Sequence, residues 1–337
     1  MHILITGGSG FLGASLAREL LKKSLIRIEG RSPAPLSTLF LTDLHKIPDD
    51  LAAESRVIPF IGDLNELITS KTLPLNKIDA VIHLSAAVSA ECEANLDLGL
   101  QSNLLVSLNL LQAIRHQSQR PVFVFPSSVA VYGASPDHSL PSKISDIDQP
   151  TPQSSYGIQK FMVEQLVADF SRKGFIHGRN IRLMTVSIRP GKPNGAASSF
   201  LSGMLREPLA GQNSVVPVPP ETRVALSSLD KTLEGLFCAL ESPSSIWGAP
   251  TAVNLPALST TVGEMAEALQ ELAGKEVANL LQWKVDPQVH AIVSSWPSQF
   301  SHLRASQLGL NPDSSVEDLI RAYVMRHPQA VSCSVRK

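Results

Sequence analysis

A chain of 337 residues, 43% hydrophobic and 18% charged, is too apolar to stay disordered and too long for one ordinary core, so one large α/β domain with a smaller partner is expected. A net charge of −1 without basic runs argues against nucleic acid or an anionic membrane surface as partner. No stretch approaches the roughly 18 apolar residues of a membrane span. The three cysteines, Cys92, Cys238 and Cys333, lack metal-ligand or disulfide-framework spacing, so no metal and a reducing compartment are expected.

Met1-His2 leads straight into Ile3-Leu4-Ile5, a strand over 2–6 rather than a signal peptide, and a cytoplasmic protein is expected. Further strand-like runs fall at 39–42, 57–61, 80–84, 122–126, 181–187 and 251–254. Helical periods fall at 11–22, 103–117, 155–173, 229–241, 262–273 and 316–327. In 103–117, Leu104, Leu108, Leu111 and Ile114 share one face. The alternation predicts βαβ units and a Rossmann-like, doubly wound parallel sheet. Residues 24–37, with Pro33 and Pro35, form a long link between first helix and second strand. Beyond Pro190, the prolines Pro193, Pro208, Pro217, Pro219 and Pro220 crowd a segment that cannot be one continuous helix. A nucleotide-binding domain over 1–190 plus about 224–256 is expected, with a smaller C-terminal substrate-binding lobe over 191–223 and 257–330 and a loose tail from Gln329.

Thr6-Gly7-Gly8-Ser9-Gly10-Phe11-Leu12-Gly13 joins the first strand to the first helix. Gly7 permits a tight turn, Gly10 lets a pyrophosphate approach, and Gly13 lets helix and sheet pack closely. The N–H groups around Ser9, Phe11 and Leu12 face the phosphate at the positive end of the helix dipole. Three glycines alone often mean only a turn; the strand–turn–helix context points to a dinucleotide. Asp43, closing the strand 39–42, could accept from both adenosine ribose hydroxyls and repel a 2′-phosphate, which favours NAD over NADP. It lies about 30 residues past Gly13 rather than the usual 20. The competing choice of second strand is Ile26-Arg27-Ile28-Glu29, which would bring Arg31 toward the phosphate. Asp63, before Leu64, either bonds the adenine amino group or caps a helix. Ser85, Ala86 and Ala87 end the fourth strand with small side chains beside which a cofactor can lie, and His83 before them reads as a packed core histidine.

Tyr156 and Lys160, four residues apart, share one helix face. A phenol is a poor base near neutrality, and a neighbouring ammonium favours the phenolate. Ser128, in the hydroxyl-rich end of the fifth strand, could orient the reacting oxygen toward Tyr156. A lone Tyr-x-x-x-Lys is common by chance; together with the glycine turn and the serine-rich strand end it is not.

These residues resemble the extended short-chain dehydrogenase/reductases, the NAD-dependent epimerase/dehydratase family, along nearly the whole chain: Gly7, Gly10 and Gly13, Gly62-Asp63-Leu64, the run from His83 to Ala87, Asn103 opening a helix, the run from Ser128 to Gly133, and Tyr156 with Lys160. The resemblance implies Tyr156 as acid/base, Lys160 on the nicotinamide ribose, Ser128 as substrate orienter, Asn103 near the cofactor, and a homodimer built on helices around 103–117 and 155–173.

Residues 88–99, 187–200 and 206–211 resemble one subfamily, which oxidises the 2-hydroxyl of a small, four-carbon sugar acid with NAD. A sugar acid needs a cationic clamp for its carboxylate, and Arg189 and Lys192 stand where the second lobe begins, although loop cations are usually solvated. Arg223 and Arg304 are further candidates, Ser85 and Asn194 could read hydroxyls, and Ser127 holds the loop. Aromatic residues at 5% offer no obvious platform for a nucleotide base. Two rivals remain: a nucleotide-sugar epimerase or dehydratase that uses the same triad but retains its cofactor, and a non-catalytic dinucleotide-binding protein, a class that typically lacks the Tyr-Lys pair.

Overall fold

Ile3, Leu4 and Ile5 are fully buried in β1 (His2–Thr6). In the computed structural model, which describes residues 1–191 and 196–336, β2 (Thr38–Asp43), β3 (Val57–Ile61), β4 (Ala80–His83), β5 (Val122–Ser128) and β6 (His177–Leu183) follow. The sheet runs Val253–Asn254, β6, β5, β4, β1, β2, β3. The pairs β1–β2, β2–β3, β1–β4 and β4–β5 are parallel. Strand order reverses between β1 and β4, so the C-terminal ends of these two strands form the switch point at which doubly wound sheets take their ligands.

Two units divide the chain. The first comprises Met1–Ser128, Ser154–Arg182 and Leu233–Val253. Its core joins Leu4, Phe40 and Val81 of the sheet to Leu110, Leu111 and Ile114 of the helix Val106–Arg115, and to Val163 and Val167 of the helix Ser155–Arg172. The second comprises Val129–Gln153, Leu183–Thr232 and the chain from Asn254 onward. It holds β7 (Thr185–Val186), β8 (Ser214–Val216), β9 (Arg223–Ser227), β11 (Leu258–Thr261) and β12 (Leu281–Trp283), while β10 is the strand Val253–Asn254 of the seven-stranded sheet. Here β11, β9 and β7 form one small sheet and β12 pairs with β8. Its core gathers Leu201, Met204 and Leu205 with Met265, Leu269 and Ile320.

Two expected boundaries move, and the choice of second strand is settled. The link 24–37 stays outside the sheet: Ile26 bridges to Ala34, Ile28 is buried, and the N–H groups of Glu29 and Gly30 bond Leu240 O and Glu241 O. The second strand therefore ends at Asp43, and Ile26-Arg27-Ile28-Glu29 is not it. β6 begins at His177, four residues before the expected 181, and buries Arg179, Asn180 and Arg182, whose Nη1, Nδ2 and Nε groups donate to Gly178 O, Glu164 O and Glu164 Oε1. The helix expected over 103–117 starts earlier, as a π-helical stretch Leu100–Leu105 that runs into Val106–Arg115. The proline-rich segment is not one continuous helix but holds one, Ser199–Leu209, with Pro208 in its last turn; the ring has no N–H to continue the ladder, and the helix ends one residue later.

Candidate active site

The glycine turn is shaped by what surrounds it. Gly7 has φ +72°, and a Cβ there would lie 2.8 Å from Ser85 N, so only glycine fits between β1 and the end of β4. A Cβ at Gly13 would overlap the Gly7 carbonyl. At Gly10 a Cβ would meet only Gly7 O, at 3.3 Å, and that side of the turn is otherwise open. Gly10 is also the N-cap of α1 (Phe11–Lys22) and brings no side-chain acceptor to its first N–H groups. These are the donors a pyrophosphate takes, so the cradle fits a dinucleotide.

Asp43 stands at the C-terminal end of β2, half-buried, and its carboxylate accepts from Ser9 N at 3.0 Å and His45 N at 2.9 Å. The second strand's carboxylate is thus tied to the glycine turn itself. Asp63 is exposed, and its Oδ1 accepts from Asn65 N and Glu66 N, capping the helix Leu64–Thr69, whose Leu64 is buried.

β4 delivers His83 into the core, where Nδ1 meets Thr6 Oγ1 at 2.7 Å and Nε2 meets Ser107 Oγ at 2.8 Å. Burial, then the Lys160 charge, pushes its pKa down to about 3, so it stays neutral, as a packed histidine should. Beyond it, Ser85 donates to Thr6 Oγ1 at 3.0 Å, Ala86 is exposed, and Ala87 N donates to Asn103 Oδ1 at 2.8 Å.

The helix Ser155–Arg172 begins where Ser154 Oγ accepts from Gly157 N. Tyr156 is half-buried and Lys160 buried. Lys160 Nζ donates to Pro126 O at 2.9 Å, lies 4.7 Å from the Phe125 ring centroid and 5.7 Å from that of Tyr156. Since Pro126 and Ser128 both belong to β5, that bond fixes the helix against the strand end that bears Ser128. Burial lowers the Lys160 pKa to about 8, opposed by Cys92 and Glu164. Ser127 Oγ is buried and has no partner among the described residues.

In the second unit Arg189 donates Nε to Val186 O at 3.1 Å, its N–H bonds Ser202 Oγ, and its carbonyl accepts from Arg206 at 2.6 Å. Arg223 opens β9 and is exposed; Arg304 lies in the helix Leu303–Gln307. Lys192 and Asn194 lie outside the described residues. Sequence reasoning passed over Gln159, which is buried against Asn103, and the Arg182–Glu164 pair. A signal for Glu164 existed: it follows Lys160 by four residues, on the same helix face. Among the described residues no group of three or more His, Cys, Asp or Glu side chains is placed to hold a metal ion, and no helix is long and apolar enough to cross a membrane.

Residues 3–242 match the NAD dependent epimerase/dehydratase family. The chain is 42% identical to D-erythronate dehydrogenase of Cupriavidus necator over 96% of its own length and 98% of that protein's. It is 38% identical to D-erythronate dehydrogenase of Haemophilus influenzae, over 96% and 99%. Among solved structures, the nucleoside-diphosphate-sugar epimerase from Agrobacterium tumefaciens is 35% identical and superposes with a TM-score of 0.89, over 98% of this chain and 95% of that one.

Proposed function

This chain belongs to the NAD dependent epimerase/dehydratase family, and we propose that it oxidises the 2-hydroxyl of D-erythronate to give 2-dehydro-D-erythronate. The observation that carries this reading is the 42% identity spread over 96% of the chain with a D-erythronate dehydrogenase.

The glycine turn would hold NAD, which would supply the hydride acceptor for the carbon that bears the hydroxyl. The proton of that hydroxyl passes to Tyr156 Oη, and Ser128 Oγ bonds the same oxygen to hold it in line. The buried Lys160 ammonium favours the Tyr156 phenolate and is available to the nicotinamide ribose. For the rest of the cofactor the proposed contacts are Gly7, Ser9, Gly10, Phe11, Leu12 and Gly13 at the pyrophosphate, with Ser85, Ala86, Ala87 and Asn103 alongside. Asp43 takes the adenosine ribose. Asp63 and Leu64 take the adenine, although the helix cap already occupies one Asp63 oxygen. Arg189 and Lys192 are the proposed partners of the substrate carboxylate.

A homodimer belongs to the same reading. Leu98 and Leu105, seven residues apart, and Ile158 and Met162, four apart, are 37–46% exposed and make apolar stripes on neighbouring helices. Work in the cytoplasm is expected with it.

The test is NADH formation by the purified protein on four- to six-carbon sugar acids, with NAD or NADP. Rapid NAD reduction on D-erythronate supports the reading; silence across the panel sinks the substrate. Tyr156→Phe is expected to lower turnover roughly 1000-fold with NAD affinity almost intact; lost NAD binding would make Tyr156 structural. The likeness to the Agrobacterium structure supports a second reading, a nucleotide-sugar epimerase. That enzyme would retain NAD and form no net NADH.

A further inference from the structure

Gln159, between Tyr156 and Lys160, is 1% exposed and has no part in the reaction proposed above. Its Oε1 accepts from Asn103 Nδ2 at 2.8 Å, and Asn103 Oδ1 accepts from Ala87 N at 2.8 Å. Asn103 Nδ2 also faces Ala87 O at 3.3 Å and Cys92 Sγ at 3.1 Å. Two buried amides therefore connect the helix of Tyr156 and Lys160 to the loop that follows β4.

The arrangement is poor for stability. Gln159 Nε2 has no partner among the described residues, and a half-satisfied buried amide is worse than an apolar side chain of equal size. The neighbouring helix Leu96–Gly99 also carries a glycine, which weakens a helix. A Cβ at Gly99 would come 2.5 Å from Gln159 Nε2 and 2.9 Å from Oε1, so the glycine makes room for the amide. Two local rules broken at one contact, next to the reacting side chains, mark a residue kept for placement rather than packing.

We propose that Gln159 is a positioning residue: through Asn103 it sets the register of the helix bearing Tyr156 and Lys160 against the Ser85–Ala87 loop, and so places the Tyr156 hydroxyl for proton transfer. The proposal rests on the reading of Tyr156 as the base. The charged and titratable groups facing Lys160 are Cys92 from the helix Ser89–Ala94, Tyr156 and Glu164 from its own helix and His83 from β4; Gln159 itself is neutral and acts by geometry.

The test uses the full chain with NAD bound. The chain has three tyrosines, Tyr132, Tyr156 and Tyr323, so an ultraviolet difference titration of wild type against Tyr156→Phe isolates the ionisation of Tyr156. Gln159→Met is expected to move that ionisation up by about half a pH unit and lower kcat roughly tenfold, with KM for NAD and thermal midpoint little changed. Gly99→Ala, which presses on the amide while leaving Gln159 in place, should move both readouts the same way. An unmoved Tyr156 ionisation in folded Gln159→Met protein overturns the proposal, as does a kcat that falls only with the folded fraction. The titration needs no substrate, so it stands apart from a sugar-acid panel that fails; a Tyr156→Phe protein that keeps full turnover sinks the reading of Tyr156 and this proposal with it.

Discussion

Lys160 and Arg182 are both buried cations of the first unit, and the helix Ser155–Arg172 governs both, yet they are balanced in opposite ways. Arg182, from β6, gives Nε and Nη2 to the two oxygens of Glu164 at 2.9 and 2.7 Å, a forked pair with both side chains under 5% exposed. Lys160, one helical turn before Glu164, has among the described residues a single carbonyl and two ring faces, and burial draws its pKa down to about 8. A cation that only ties a helix to a strand is neutralised in place, because a stranded partner would be costly. On the function proposed above, Lys160 is the cation that serves the reaction; it is left under-balanced, and the fold carries the desolvation.

The largest expected departure is at Lys160 itself. Lys160→Met should lower turnover roughly 1000-fold while the thermal midpoint holds or rises, read by initial rates and calorimetry; a lower midpoint would mean that this lysine is structural after all. Arg182→Met, which strands Glu164, should instead lower the unfolding free energy by about 3–5 kcal/mol in urea titrations and leave kcat of the folded fraction within about threefold. Loss of turnover in well-folded Arg182→Met protein would erase the distinction.

The next effect is in pH. Because the folded pKa of Lys160 lies below its unfolded value of 10.5, the unfolded chain binds more protons between about pH 8 and 10.5. Wild type should therefore gain about 3 kcal/mol of stability from this group as pH rises through that window, and Lys160→Met should lack the gain. A parallel pH dependence in both proteins would show the lysine to be hydrated. Smallest is Asp43→Ser, expected to cut the preference for NAD over NADP by about tenfold in kcat/KM, since the carboxylate beside the glycine turn is gone.

The same contrast separates what could be read in the residue order from what could not. β1, α1 and the glycine turn follow from apolar runs and from glycines whose neighbours leave no room for a Cβ, both local properties. Asp43 could be chosen only against the competing Ile26-Arg27-Ile28-Glu29, because both runs have a strand's composition; the contacts of Glu29 and Gly30 with residues 240 and 241, about 200 positions away, decide it. His177-Gly178-Arg179-Asn180 lies outside the strand expected over 181–187 and is strand, since Asn180 Nδ2 and Arg179 Nη2 find partners, Glu164 O and Ser244 Oγ, that no local pattern announces. Tyr156 and Lys160 were visible from spacing and reference pKa values. Gln159 was not, because its importance lies in a bond to Asn103, 56 residues earlier.

Glu29 N and Gly30 N reach Leu240 O and Glu241 O, and Glu29 Oε1 accepts from Ser244 N at 3.0 Å. A Cβ at Gly30 would sit 2.7 Å from Pro243 Cβ, so the fit there is close. During synthesis, therefore, the first unit cannot be closed when its first five strands leave the ribosome; its link 24–37 waits for a segment made some 200 residues later. Until then Glu29, Gly30 and the edge of β6 have nothing from residues 233–253 to pair with, and a chain halted near residue 200 should be cut by protease within 24–37 while the released full-length protein resists.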